Sequence, residues 1–471
     1  MKVLLVSPIN RTYVIMPNLG LGYLASALRE KGHIVSMLHC MKEKMDYNQY
    51  ETFLKNKEFD AVGFQLFSYD LDSVKKHLAI LKKILPSAFV ILGGPHPSAA
   101  PSHTMEYLKD ADFAFCGEAD TGLPELINKI PLLFKKPLAK DGFGPQEILK
   151  SIPGLIWRHD GEIIVNEKKY VENLDELAFP SWDLMDPREY PEAPHGAFTK
   201  NFPVAPMIIT RGCPFSCTFC AGHTVSGKKV RKRTIPNVMA EIEYLMSNFG
   251  VKEITLEDEN FTLHKDLVEE FCNELLKRSW AITWSCPSGV RLDTLSPKLL
   301  SLMEKSGCYS FGIGIESGSQ RMLDAFHKQL TVEKIKEQMD ILKKTKIKTT
   351  GFFLLGYPSE TEKSLIETIE FAKALPIHRA QFNNFMPLPG SEIYNTLKRE
   401  GLLNGVEWGK FFVHDVAYVP DGLSRKQLKR FRQKAYLEFY FRPRILLNIL
   451  REIKSFKHLK YLLRRFIDSL R

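Results

Sequence analysis

The sequence predicts an α/β fold in three parts: an N-terminal doubly wound, Rossmann-like parallel sheet, a partial (β/α)6 TIM-type barrel and a C-terminal helical tail. Three observations carry this expectation. Strand-like and helix-like runs alternate over residues 1–130 and again from 204 onward, a pattern that builds parallel sheets. A proline-rich stretch, "PSWDLMDPREYPEAP", separates the two runs. The region after 400 loses the strand pattern and becomes basic and helical in period.

In the first run, "KVLLVSP" reads as a buried strand and "GYLASALREKG" as a helix closed by Gly32. "IVSMLH", "AVGFQLF", "FVILGG" and "ADFAFCGE" follow as strands, with the helix "DSVKKHLAILKKIL" between two of them. Ligands of such sheets bind at the carboxyl ends of the strands. Gly20, Gly22, Ser68, Gly93, Gly94, Gly117 and Glu118 cluster there, and these define a first domain over 1–145. Residues 146–195 read as a β-hairpin turning at Asp160-Gly161, then a linker. Residues 196–400 form the second domain. Its strand candidates are "VAPMIIT", "EITLEDE", "ITWSCPS", "YSFGIGIES", "KTTGFFLLG" and "AQFNNFMP", with helices around 236–248, 264–278, 296–306, 331–344 and 361–374. That gives six β/α units, short of the eight of a closed barrel.

The chain has 471 residues, 44% apolar and 11% aromatic, ample for two cores. Its net charge of +10 is uneven: residues 425–471 hold 15 Lys/Arg against 3 Asp/Glu, while the rest is near neutral. "MKVLLVSP" reads as a strand rather than a signal peptide, and no apolar run reaches the length of a membrane span, so a cytoplasmic protein is expected. In the helical region 401–471, Leu446, Ile449, Leu450, Ile453, Phe456, Leu459, Leu463, Phe466 and Leu470 repeat at helical spacing among basic residues. Such a segment packs on its own barrel, lies on the inner face of an anionic membrane, or docks a partner. It has no recognisable nucleic-acid fold, and no nucleic acid is expected.

Of the eight cysteines, Cys40, Cys116, Cys272, Cys286 and Cys308 stand singly in apolar surroundings, as reduced core residues do. The other three are compressed into "RGCPFSCTFC" as Cys213-x3-Cys217-x2-Cys220. Three thiolates with His223 would close a structural zinc site. Three thiolates on one loop also suit an iron–sulfur cluster that leaves one iron open to a reactive ligand.

With Phe219 before its last cysteine, this triad resembles the signature of radical S-adenosylmethionine enzymes. The resemblance implies a [4Fe–4S] cluster held by Cys213, Cys217 and Cys220, with S-adenosylmethionine on the fourth iron and reductive cleavage to a 5′-deoxyadenosyl radical. It further implies that Asp258 and Glu259 of "LEDENF" meet the methionine amino group, that Arg291 of "PSGVRLD" pairs its carboxylate, and that Glu316 and Ser317 of "GIGIESGS" reach the ribose or amino group. The first domain is similar to the cobalamin-binding domain fused to one branch of that family, through "PNLGLGYLASALREKGH", "AVGFQLFS", "VILGGPHPS" and "FCGEAD". The D-x-H-x-x-G motif that gives cobalt a histidine is missing from "SPINRTYVIMPNLG". The function so implied is methyl transfer to an unactivated carbon, served by an electron donor such as flavodoxin or ferredoxin and acting on a small-molecule or lipid substrate. Ring contraction, cyclisation or oxidation without methyl transfer is the enzymatic alternative. A non-catalytic cobalamin-binding sensor or scaffold is the alternative of another class.

Overall fold

The computed structural model describes residues 1–12, 14–133, 145–192, 199–404 and 407–453, and beyond these 456, 459, 460, 462, 463 and 466. The first sheet has seven strands: β1 (Lys2–Ser7), β2 (Ile34–His39), β3 (Ala61–Gln65), β4 (Phe89–Gly93), β5 (Phe113–Phe115), β6 (Leu155–His159) and β7 (Glu162–Val165). They lie in the order β2-β1-β3-β4-β5-β6-β7, parallel through β5. Apolar runs such as "VLLV" suit strands covered on both faces, and separate cores do lie on the two sides of this sheet.

The hairpin, grouped with the linker on sequence, instead completes this sheet: β6 pairs antiparallel with β5, and β7 with β6. Its turn is the one expected, with Asp160 (φ 47°) and Gly161 (φ 83°) both left-handed. The sequence order of the strands reverses between β1 and β3, which places a crevice at their carboxyl ends. There Asn18 caps the helix Leu19–Glu30 and donates to the Gln65 side chain at 2.6 Å.

The second sheet is formed by β8 (Val204–Met207), β11 (Glu253–Leu256), β12 (Thr283–Val290), β13 (Cys308–Glu316), β14 (Lys348–Leu355) and β15 (Arg379–Asn384), all neighbours parallel. The short β9 (Thr210–Arg211) and β10 (Arg231–Lys232) form a separate antiparallel pair. The six-strand order ends on β15 and β8, so the barrel is partial, as predicted. The predicted helices occupy Ile235–Phe249, Lys265–Arg278, Pro297–Lys305, Val332–Leu342 and Glu362–Ala374.

The linker is a buried strap. Trp182 is fully buried and donates to Glu241 at 2.9 Å, and the other Glu241 oxygen accepts from Arg233 at 2.6 Å. The strap presses on Gly22, where a Cβ would stand 2.3 Å from Met185 Cε and 2.9 Å from Pro180 Cβ. Gly22 therefore serves this packing.

The start of the tail belongs to the barrel. The helix Arg425–Tyr440 covers β15: Phe382 N donates to the Tyr436 hydroxyl, and the Tyr440 hydroxyl donates to Ala380 O. In the helix Pro443–Glu452, Ile445 is buried and Glu452 pairs with Arg379 at 2.5 Å and with Lys348. Leu470 lies outside the described residues. Among the described residues no helix is long and apolar enough to cross a membrane.

Removing one member of a buried ion pair strands the other charge. Glu241→Gln should therefore cost about 3 kcal/mol of unfolding free energy, read by chemical denaturation, because Arg233 keeps its charge in a dry site.

Candidate active site

The two domains meet through a lattice of four charges. Arg211, at the end of β9, donates to Asp120 at 3.0 and 3.3 Å and lies 5.0 Å from the centre of the Tyr23 ring. Arg231, on β10, grips both oxygens of Glu118 at 2.7 Å. All four side chains are almost fully buried. Charges this dry hold only with good geometry, which the two-pronged Arg231–Glu118 contact provides. Glu118, expected as a cofactor contact, spends its carboxylate on this lattice.

The lattice fixes the start of the cysteine loop. Gly212 adopts φ 101°, where a Cβ would stand 2.3 Å from Lys229 O. Its N–H donates to Glu259 at 2.7 Å, and Cys213 N donates to Gly227 O at 3.2 Å. Downstream, the Thr218 hydroxyl meets the Tyr357 hydroxyl at 2.7 Å, and Thr218 N donates to Phe326 O. Phe219 packs edge-on against Phe326, with centroids 5.5 Å apart. Cys213 and Cys217 are half-buried and Cys220 is exposed, unlike the other five cysteines, which are buried. Burial raises the thiol pKa of Cys213, and the Phe215 backbone N–H, followed by Arg291, opposes that rise. Among the described residues no trio of Cys, His, Asp or Glu is set around a single ion.

The predicted contacts divide sharply. Asp258 is buried and accepts from Ile209 N, Thr210 N and the Thr210 hydroxyl, which binds the turn after β8; burial lifts its pKa to about 6. Ser317 is buried against the Thr368 hydroxyl at 2.8 Å. Both serve the fold. Glu259 faces the cavity, and burial raises its pKa. Arg291 stacks 3.7 Å above the Phe215 ring and pairs with Asp293, at one end of the loop. Glu316 pairs with Lys328 at 2.8 Å.

A cavity of about 330 Å³ opens between the domains. Gly20, Gly93, Gly94, Gly117 and Glu118 line its sheet side, and Thr210, Arg211, Ser226, Glu257 and Glu259 its barrel side. It continues below the strand ends between Leu5, Leu24, Gly63, Ile91, Phe115 and Leu123. Ser68 is not part of this lining; it bonds His96, which in turn meets His103.

The "Radical SAM superfamily" pattern matches residues 207–372, and the "B12 binding domain" pattern residues 8–127. An uncharacterized methyltransferase of Pyrococcus horikoshii is 30% identical over the whole chain and 98% of its own length. The chain belongs to the cobalamin-dependent radical S-adenosylmethionine family. Cytidylyl-2-hydroxyethylphosphonate methyltransferase of Streptomyces wedmorensis is 26% identical over 83% of this chain and 79% of its own. The solved structure of the radical enzyme OxsB, with aqua-cobalamin and S-adenosylmethionine bound, superposes with a TM-score of 0.75 at 17% identity, covering 99% of this chain and 71% of that one.

The residues fit the cofactors of a radical S-adenosylmethionine enzyme of this branch. Gly93 has nothing within 4 Å of its Cβ position, so the floor of the cavity stays clear for a broad ring. The apolar extension suits a nucleotide tail, and among the described residues no histidine lines the cavity. Sequence reasoning missed Arg211, Asp120 and Arg231, whose partners lie far off in sequence, and Lys328, whose partner Glu316 is near in sequence but whose burial shows only in the fold. It also missed Gly63, although an isolated glycine inside a strand is a signal of close approach.

Gly93→Leu should fold normally, because the space is open, yet lose cobalamin by filling the floor. Absorbance titration of the reconstituted protein with hydroxocobalamin checks this.

Proposed function

We propose that this enzyme transfers a methyl group to an unactivated carbon of a small molecule. The cavity between the glycine-bearing sheet ends and the barrel residues that flank the cysteine loop, Arg211 before it and Val225 and Ser226 after it, carries the reading: both cofactors and the reacting carbon must lie within reach of one another. The family names of the relatives point the same way. When bound, the cluster with S-adenosylmethionine supplies a hydrogen-abstracting radical, and cobalamin supplies the methyl group.

The chain's own residues set the stage. Cys213, Cys217 and Cys220 hold the cluster, and the Thr218 contacts with Ala325, Phe326 and Tyr357 keep the loop in place. Glu259 fixes Gly212 and presents its carboxylate to the cavity, suited to an ammonium. Arg291 and Lys328 supply positive charge near the loop, suited to a carboxylate. Gly20, Gly93, Gly94 and Gly117 would let a corrin approach the backbone, and among the described residues lining the cavity none is a histidine. The electron reaches the loop from an external one-electron carrier such as flavodoxin or ferredoxin.

With methyl-labelled S-adenosylmethionine, a low-potential reductant and cobalamin, the enzyme should place label in a fraction of a cell extract. Cys217→Ala should lose both the cluster absorbance and all cleavage to 5′-deoxyadenosine. A product without added carbon would instead favour cyclisation, ring contraction or oxidation.

The tail supports a membrane-facing setting. Phe441, Leu447, Leu450 and Phe456 are 61%, 53%, 60% and 83% exposed, within the basic end of the chain. Apolar side chains among cations suit the anionic inner face of a membrane and a substrate drawn from it. The protein should float with phosphatidylglycerol vesicles at low salt and be released by high salt. Leu447→Ser/Leu450→Ser/Phe456→Ser should stay in the unbound fraction, with its unfolding midpoint unchanged. Equal partition of both proteins would leave the tail as barrel packing alone.

A further inference from the structure

Three of the seven non-glycine residues with positive φ among the described residues lie in or directly beside one buried ion pair. They are Glu316 (φ 67°), His327 (φ 50°) and Gln329 (φ 56°). Such backbone is uncommon outside glycine and persists where its surroundings enforce it. Here it buries Lys328, only 8% exposed, with its Nζ 2.8 Å from Glu316 Oε1.

The surroundings are built for this pair. The register between β13 and β14 shifts between Gly314 and Glu316, and the Glu316 carboxylate lies back against Gly314 of its own strand. Gly314 offers bare backbone beneath it: a Cβ would stand 2.5 Å from Glu316 Oε1 and 2.7 Å from Lys328 Nζ. On the other side, Arg291 donates to Lys328 O at 3.2 Å. The same segment, Ala325–Gln329, is the platform of the cysteine loop, since Ala325 O and Phe326 O accept from Thr218 and the Phe326 ring meets Phe219. Cys217 directly precedes Thr218. Burial works against the Lys328 ammonium, yet Glu316 and then Cys217 outweigh it and leave the lysine pKa raised. Among the described residues, Glu316 is the only hydrogen-bond partner of an ammonium that has three donors.

We propose that Lys328 and Glu316 are positioning residues that set the charge beside Cys217, and through it the reduction potential of the cluster on the loop. This rests on the reading that the cysteine loop holds a cluster. Reduction adds one electron, from an external one-electron donor, and makes the cluster more negative, with no bond formed or broken. A fixed cation on the segment that supports the cysteine loop favours that form, and Glu316 offsets part of its effect.

The test is a dithionite titration of the cluster followed by electron paramagnetic resonance, in the reconstituted full-length protein without S-adenosylmethionine. Lys328→Met should move the midpoint to more negative potential. Glu316→Gln, which keeps an oxygen for Lys328, should move it to less negative potential. Lys328→Arg should stay near wild type. Opposite signs separate a charge effect from a loosened loop, which would move both variants the same way or neither. If Lys328→Met does not fold, the sign of Glu316→Gln decides alone. Unmoved or same-direction potentials, with a normal cluster signal, would overturn the inference and leave the cluster reading intact. No cluster signal in the wild type would remove both.

Discussion

The Arg211–Asp120 and Arg231–Glu118 contacts are the constraint on which the functional arrangement depends. They join the end of β5, in the first sheet, to the hairpin β9–β10, which frames the cysteine loop. Apolar packing of Leu19, Tyr23 and Trp182 on the barrel core also joins the two domains, but the charged contacts are the ones that hold the start of the cysteine loop against the strand ends of the first sheet. Arg211 is followed at once by Gly212 and Cys213, so the interdomain contact and the first thiolate are separated by a single glycine. An exposed ion pair would be a weak joint; these four side chains are nearly dry, so separating the domains would strand charge.

The second consequence is directional. Parallel sheets present their chemistry at one end, and the lattice turns the open ends of both sheets toward each other. The cavity is therefore shared, with the glycine floor on one wall and, on the other, Thr210 and Arg211, which lead into the cysteine loop, together with Ser226 and Glu259. The linker strap, locked by Trp182 and Glu241 and seated on Gly22, backs this arrangement from behind.

The strands and helices could be read because buried parallel strands are continuous apolar runs and the helices carry capping residues at their starts. The cysteine triad could be read because its chemistry is local in sequence. The contacts that place it could not. Arg211 and Asp120 are 91 residues apart, and nothing in "TRG" or "EAD" names the other. Lys328 is one lysine among many until the turn around it buries it. Asp258 and Ser317 look as much like ligand contacts as Glu259 does. Only the fold shows that Asp258 satisfies the turn after β8 and Ser317 the Thr368 hydroxyl. The hairpin was legible as a hairpin, but its pairing with β5 depends on which sheet edge stands open.

The shared cavity is tested most directly by the magnetic interaction of the two metal centres. In protein carrying cob(II)alamin, the cobalt spin should relax measurably faster when the cluster is reduced, and thus paramagnetic, than when it is oxidised. Identical cobalt relaxation in the two cluster states would contradict a single cavity holding both cofactors.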